Sequence, residues 1–137
     1  GRKLAIDGAV QSVPAAESLH VLTRGETPPN PSELLMTPQL GDVLEWASGQ
    51  YDTVIIDSPP VLAVTDAVIV GQLCGFALII ARFSETAHKE VLVASNRLRQ
   101  NGVNVRGSIL NAVEKRAANY YGYGGYYNYD YRKQTDD

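Results

Sequence analysis

The chain has 137 residues, 45% hydrophobic and 20% charged, which suits one domain with a core of its own and is short for two. Its 12 basic and 15 acidic residues leave a net charge of −3, against the basic surplus of a general nucleic-acid binder. The single cysteine, Cys74, excludes an internal disulfide and reads as a small core residue, and no run reaches the ~18 to 20 apolar residues that span a bilayer.

Residues 1–17 are weakly patterned and read as the end of an element begun earlier. Gly1-Arg2-Lys3 opens no signal peptide, and a glycine start fits a processed chain or a piece of something longer. Residues 18–23 (SLHVLT) have strand character and end at the turn signal Arg24-Gly25. In TPPNP, residues 27–31, three prolines force an extended or turning course. Asn30 and Pro31 suit an N-cap and first helical position, which predicts a short helix over 32–35. A second helix is predicted over 38–48, where Leu40, Val43, Leu44 and Ala47 form one apolar stripe and Gly49 closes it.

Residues 51–57 (YDTVIID) form a short β-branched run bounded by turns, the profile of a buried parallel strand. A helix follows to Leu73, then a second buried strand over 76–83 (FALIIARF). The next helix spans 86–100, with Ala87, Val91, Ala94, Ser95 and Leu98 inward and Asn101-Gly102 as its stop. The last strand is 103–110 (VNVRGSIL). This alternation predicts an α/β fold of βαβ units, with right-handed crossovers and a parallel sheet covered on both faces. His20 and Trp46 read as packing residues and His88 as part of a solvated helix face. No zinc site is expected from their spacing.

Residues 118–137 read as a flexible tail on a folded part of 1–117. Seven of the eight tyrosines, Tyr120, Tyr121, Tyr123, Tyr126, Tyr127, Tyr129 and Tyr131, fall within twelve glycine-laced residues that hold no Leu, Ile or Val. Such a segment cannot build its own core, so the rings are expected to face a partner. Each hydroxyl, if phosphorylated, would add about −1.5 to −2 charges. Lys115-Arg116 opens the tail as a solvated pair.

Two motifs carry chemistry. Val54-Ile55-Ile56-Asp57-Ser58-Pro59-Pro60 delivers an acid to a strand's C-terminal end, where α/β sheets bind ligands and P-loop enzymes hold Mg²⁺; the plain alternative is a strand that ends in a turn-forming Asp. Ser108-Ile109-Leu110-Asn111 brings an amide, with donor and acceptor groups suited to a base edge, to the tip of the last strand; a turn Asn is the alternative.

VIIDSPPVLAVTDA, TPPNPSELL upstream, Ile80-Ala81-Arg82, GSILN and YYGYGGYYNYDY together resemble the bacterial tyrosine kinases, the cytoplasmic domains of polysaccharide co-polymerases that control capsule and exopolysaccharide export. The resemblance runs from about Ser18 to Tyr131 and implies a sheet of P-loop, MinD/ParA-like type, here incomplete, with a disordered tyrosine tail. It implies ATP and Mg²⁺ as cofactors, with Asp57 as the catalytic Walker B acid and metal ligand. Asn111 would contact adenine. Arg82 takes a site position, with a surface ion pair as an equal reading. The tail tyrosines would be autophosphorylated in trans, within a homo-oligomeric ring packed partly through Asn30, Pro31, Ser32, Glu33 and Leu34. The implied setting is the cytoplasmic face of the bacterial inner membrane, through a fused or separate transmembrane co-polymerase segment, with an opposing tyrosine phosphatase and no nucleic acid.

One departure stands out. The family's GxxGxGKS/T loop and its acidic A′ strand do not occur in the chain, which therefore reads as a C-terminal portion cut between the A′ motif and NPSELL. Without the phosphate cradle the isolated chain is expected to lack kinase activity. The alternatives are a MinD- or ParA-like ATPase, which gives the tyrosine tail no purpose, and a non-catalytic adaptor that binds partners through it. An RNA-binding tail is weaker, with only Arg132 and Lys133 near the rings.

Overall fold

The computed structural model describes residues 6, 8–26 and 28–114; the tyrosine tail, Lys115 and Arg116 lie outside them. The elements follow in the order β1 (Val10–Val13), β2 (Ala16–Leu22), α1 (Pro31–Leu35), α2 (Pro38–Gln50), α3 (Asp66–Leu73), β3 (Ala77–Arg82), α4 (His88–Gln100) and β4 (Val105–Asn111). None of the described helices is long and apolar enough to cross a membrane.

β1 and β2 make an antiparallel hairpin, Val10 opposite Leu22 and Ser12 opposite His20, with an irregularity between Ser12 and Val13. Residues 10–13 are therefore a strand in their own right, where the sequence suggested the end of an earlier element. The polar alternation of VQSV is too short to announce itself.

Proline at N1 opens both α1 and α2, where the missing N–H costs nothing. Neither preceding residue caps its helix with its side chain. Asn30 Nδ2 instead donates to Glu33 Oε2 at 3.0 Å, and Thr37 Oγ1 donates to the Leu34 carbonyl at 2.7 Å, tying off the end of α1. Gly49 lies inside α2 rather than closing it; Tyr51, in extended conformation, is the C-cap.

β3 and β4 are parallel neighbours joined by α4. Glu90 Oε2 accepts from the Ala87 N–H at 2.8 Å and anchors the start of α4. Its end is a Schellman turn: Gly102, at φ +80°, donates to the Arg99 carbonyl, and Val103 donates to that of Leu98. The same turn delivers Val103 into the core. Val68, Leu98, Val103 and Val105 pack together there, backed by Val61, Ala77 and Ile79. The core thus sits between α3, α4 and one face of the β3–β4 pair.

Two expectations need correcting. The sheet is covered on one face only, since Leu78, Ile80 and Ile109 on the other are exposed. The buried strand expected over 51–57 forms no regular element and is unpaired among the described residues, with Ile55 88% exposed. An apolar run marks a segment that buries well beside neighbours. A strand also needs a partner's N–H and C=O groups along its length, and that partner is a non-local matter.

Candidate functional site

The C-terminal ends of β3 and β4 place Arg82 and Asn111 side by side as register partners. This is the edge at which open parallel sheets bind ligands. Around Arg82 the chain turns sharply. The Glu85 and Thr86 N–H groups donate to the Arg82 carbonyl, the Arg82 N–H donates to Thr86 Oγ1 at 2.9 Å, and Ser84 takes φ +60°. The Phe83 N–H donates to the Asn111 carbonyl at 2.9 Å and extends the ladder past the strand ends.

Arg82 Nε lies 3.3 Å from Glu85 Oε1, with both side chains about three-fifths exposed (64% and 60%). The surface ion pair considered from the sequence is therefore formed. A pair this exposed holds its guanidinium by well under about 1 kcal/mol, so a phosphate could displace Glu85. Asn111 Oδ1 accepts from the Ala112 N–H at 2.8 Å, and Ala112 sits at φ +57°. That contact occupies the amide oxygen and leaves the Nδ2 protons for a ligand acceptor.

Asp57 ends the apolar run of 54–56 and is exposed. After Ser58-Pro59-Pro60 the chain turns at once: the Ala63 and Val64 N–H groups donate to the Pro60 carbonyl at 2.9 and 3.3 Å, and α3 begins at Asp66. The turn is held from two sides. Ser32 Oγ donates to Asp66 Oδ1 at 2.7 Å, and Arg97 Nη1 reaches the Leu62 carbonyl at 3.5 Å. Neither tie was visible in the sequence, where Asp66 reads simply as an acid at a helix start.

Of the residues singled out in sequence, Arg82 and Asn111 come together; Asp57 lies on a segment that no ladder joins to them among the described residues. Asn30, Pro31, Ser32, Glu33 and Leu34 form the cap and body of α1, with Leu34 56% exposed. The seven tail tyrosines lie outside the described residues. Cys74 is half-buried, and burial pushes its thiol above the usual range, away from nucleophilic use.

No three His, Cys, Asp or Glu side chains among the described residues gather to hold a metal. Asp57 offers one oxygen ligand, where a Mg²⁺–phosphate site also needs the phosphates' own cradle. What the described residues hold is a parallel sheet edge with an arginine and an amide at its strand ends, and an acid on a separate, unpaired segment. This is part of an α/β nucleotide-binding domain of P-loop type.

The comparisons with known proteins agree. No family model matches the chain. It is 47% identical over 121 residues to tyrosine-protein kinase wzc of Salmonella typhimurium, covering 88% of this chain and 17% of that protein. To a protein named as a tyrosine-protein kinase in the cps region of Klebsiella pneumoniae it is 46% identical over 120 residues, covering 88% of this chain and 16% of the relative. The solved kinase domain of the Escherichia coli tyrosine kinase ETK superposes with a TM-score of 0.77 at 49% identity, covering 81% of this chain and 43% of that domain. The chain belongs to the bacterial tyrosine kinases and corresponds to a part of their kinase domain.

Proposed function

We propose that the chain is the C-terminal portion of an ATP-dependent protein-tyrosine autokinase that regulates the polymerisation and export of capsule or exopolysaccharide. The observation that carries this reading is the in-register pairing of Arg82 and Asn111 at the ligand edge of a kinase-type sheet, with the Asp57-Ser58-Pro59-Pro60 motif in the same chain. Asp57 serves as the Mg²⁺-side acid, Asn111 offers its Nδ2 protons to an adenine nitrogen, and Arg82 exchanges Glu85 for nucleotide phosphate. The phosphate cradle, its lysine and the second acidic strand come from residues outside this chain.

Tyr120, Tyr121, Tyr123, Tyr126, Tyr127, Tyr129 and Tyr131 are the phosphate acceptors, modified in trans within a homo-oligomeric ring. The exposed Leu34 and Met36 support a subunit contact through residues 30–34 and the α1 end that follows. Phosphate on clustered tails adds like charge and loosens the ring, and a phosphatase reverses it. A polysaccharide co-polymerase segment, fused or separate, holds the assembly at the inner membrane.

The test compares two proteins. The 137-residue chain incubated with [γ-³²P]ATP and Mg²⁺ is expected to incorporate no label. The whole gene product is expected to label its tail tyrosines, and Asp57→Asn in it to lower the rate at least about a hundredfold. An unlabelled wild-type gene product, or an Asp57→Asn variant with the wild-type rate, overturns the reading.

A further inference from the structure

We infer that Ser32 and Asp66 are positioning residues for Asp57: their hydrogen bond fastens the turn that presents Asp57 to the helix α1. The inference rests on the kinase reading above, because it concerns the regulation of that same site. At 2.7 Å and partly buried, the bond joins residues 34 positions apart and has an ionised acceptor, which roughly doubles the strength of an ordinary side-chain hydrogen bond.

The path from Asp66 back to Asp57 runs through one hydrogen-bonded turn. Pro59 and Pro60 fix two φ angles, and the Pro60 carbonyl accepts from both Ala63 and Val64. The Thr65 carbonyl then accepts from Val68 and Ile69 and starts α3. A displacement of Asp66 therefore reaches Asp57 through a turn that two prolines and two hydrogen bonds restrain. On its far side the same turn meets α4 through a long 3.5 Å contact from Arg97 to the Leu62 carbonyl, and Val61 packs on the core that holds Leu98. Of the two hydrogen bonds, the one to α1 is the shorter.

α1 has little else to place it. It is a five-residue helix with no buried residue, and Ser32 and Leu35 are its half-buried positions. Leu35 faces a groove of about 380 Å³ shared with Ile69 and Leu73 of α3. Pro31, Glu33 and Leu34 remain exposed on the outer side. Whatever packs on that outer side, including a neighbouring subunit, moves Ser32 with the helix, and Ser32 moves Asp66. The pair thus connects the surface of α1 to the acid of the nucleotide edge.

The experiment has two arms, with Ser32→Ala and Ser32→Thr as the variants. In the first, hydrogen–deuterium exchange is measured on the 137-residue chain. Ser32→Ala is expected to speed exchange at the Ala63 and Val64 amides on the order of tenfold while the α4 amides keep their rate, and Ser32→Thr to restore the wild-type rates. Unchanged Ala63 and Val64 rates, or a uniform rise that includes α4, overturn the tie. In the second arm, autophosphorylation of the whole gene product is followed against Mg²⁺ concentration. Ser32→Ala is expected to raise the half-saturating Mg²⁺ roughly three- to tenfold, and Ser32→Thr to rescue it. If wild type is active and Ser32→Ala follows its Mg²⁺ curve, positioning is overturned while the kinase reading stands. If wild type is inactive, the kinase reading fails and the inferred role with it, whatever the exchange rates show.

Discussion

Two glycines in helices face opposite demands. A methyl placed on Gly71 would lie 2.9 Å from Val103 Cγ1 and 3.1 Å from Cγ2, inside ordinary van der Waals contact. Val103 is itself in the core and cannot swing out as a surface side chain would. Overpacking of this kind costs about 1–3 kcal/mol, against a gain near 1 kcal/mol from alanine's helix propensity. Gly71→Ala is therefore expected to lower stability on the order of 1 kcal/mol. Gly41, in α2, has open space around its would-be methyl. There the propensity term acts alone, and Gly41→Ala is expected to stabilise by about 0.5–1 kcal/mol. Urea unfolding followed by circular dichroism separates the two; equal signs would refute the steric assignment at Gly71.

The elements differ in how far the sequence revealed them, and the difference follows the range of the forces involved. Helices α1, α2 and α4 were legible because proline at N1, a 3.6-residue apolar stripe or a closing Asn-Gly acts within one or two turns. The Arg82 and Asn111 positions were legible because β3 and β4 are short apolar runs that end in polar residues. Residues 51–57 carry the same apolar signal, yet they lack a ladder, since pairing depends on chain that lies elsewhere in the fold. The Ser32–Asp66 bond spans 34 positions and leaves no local mark at all. At the scale of one element, the Schellman turn ending α4 offers a further check. Gly102 holds φ +80° while the turn seats Val103 in the core beside Leu98. Gly102→Ala is expected to cost about 1 kcal/mol through backbone strain, with the loss read from the urea midpoint and no change in slope.

Among the described residues of the molecule, many large apolar side chains lie exposed, several of them side by side. Leu78, Ile80 and Ile109 form an open face on a sheet of two strands, both of whose outer edges are unpaired among the described residues. Val54, Ile55 and Ile56 lie exposed on the unpaired segment before Asp57. The matched kinase domain is more than twice as long as its overlap with this chain, which covers 43% of it, so relatives have further chain with which to cover such a face. On its own the 137-residue chain should associate with itself through these strands, more strongly as its concentration rises. Ile80, at 59% exposed on the open face, is the position to probe. Ile80→Lys puts a charge where a second sheet would stack while removing little from the core, so it should shift the chain toward monomer in sedimentation velocity with an unfolding midpoint close to wild type. A chain that is monomeric before the substitution would show that the open face is not adhesive. Association that survives Ile80→Lys would place the contact elsewhere, with the exposed α1 end at Leu34 and Met36 the next surface to charge.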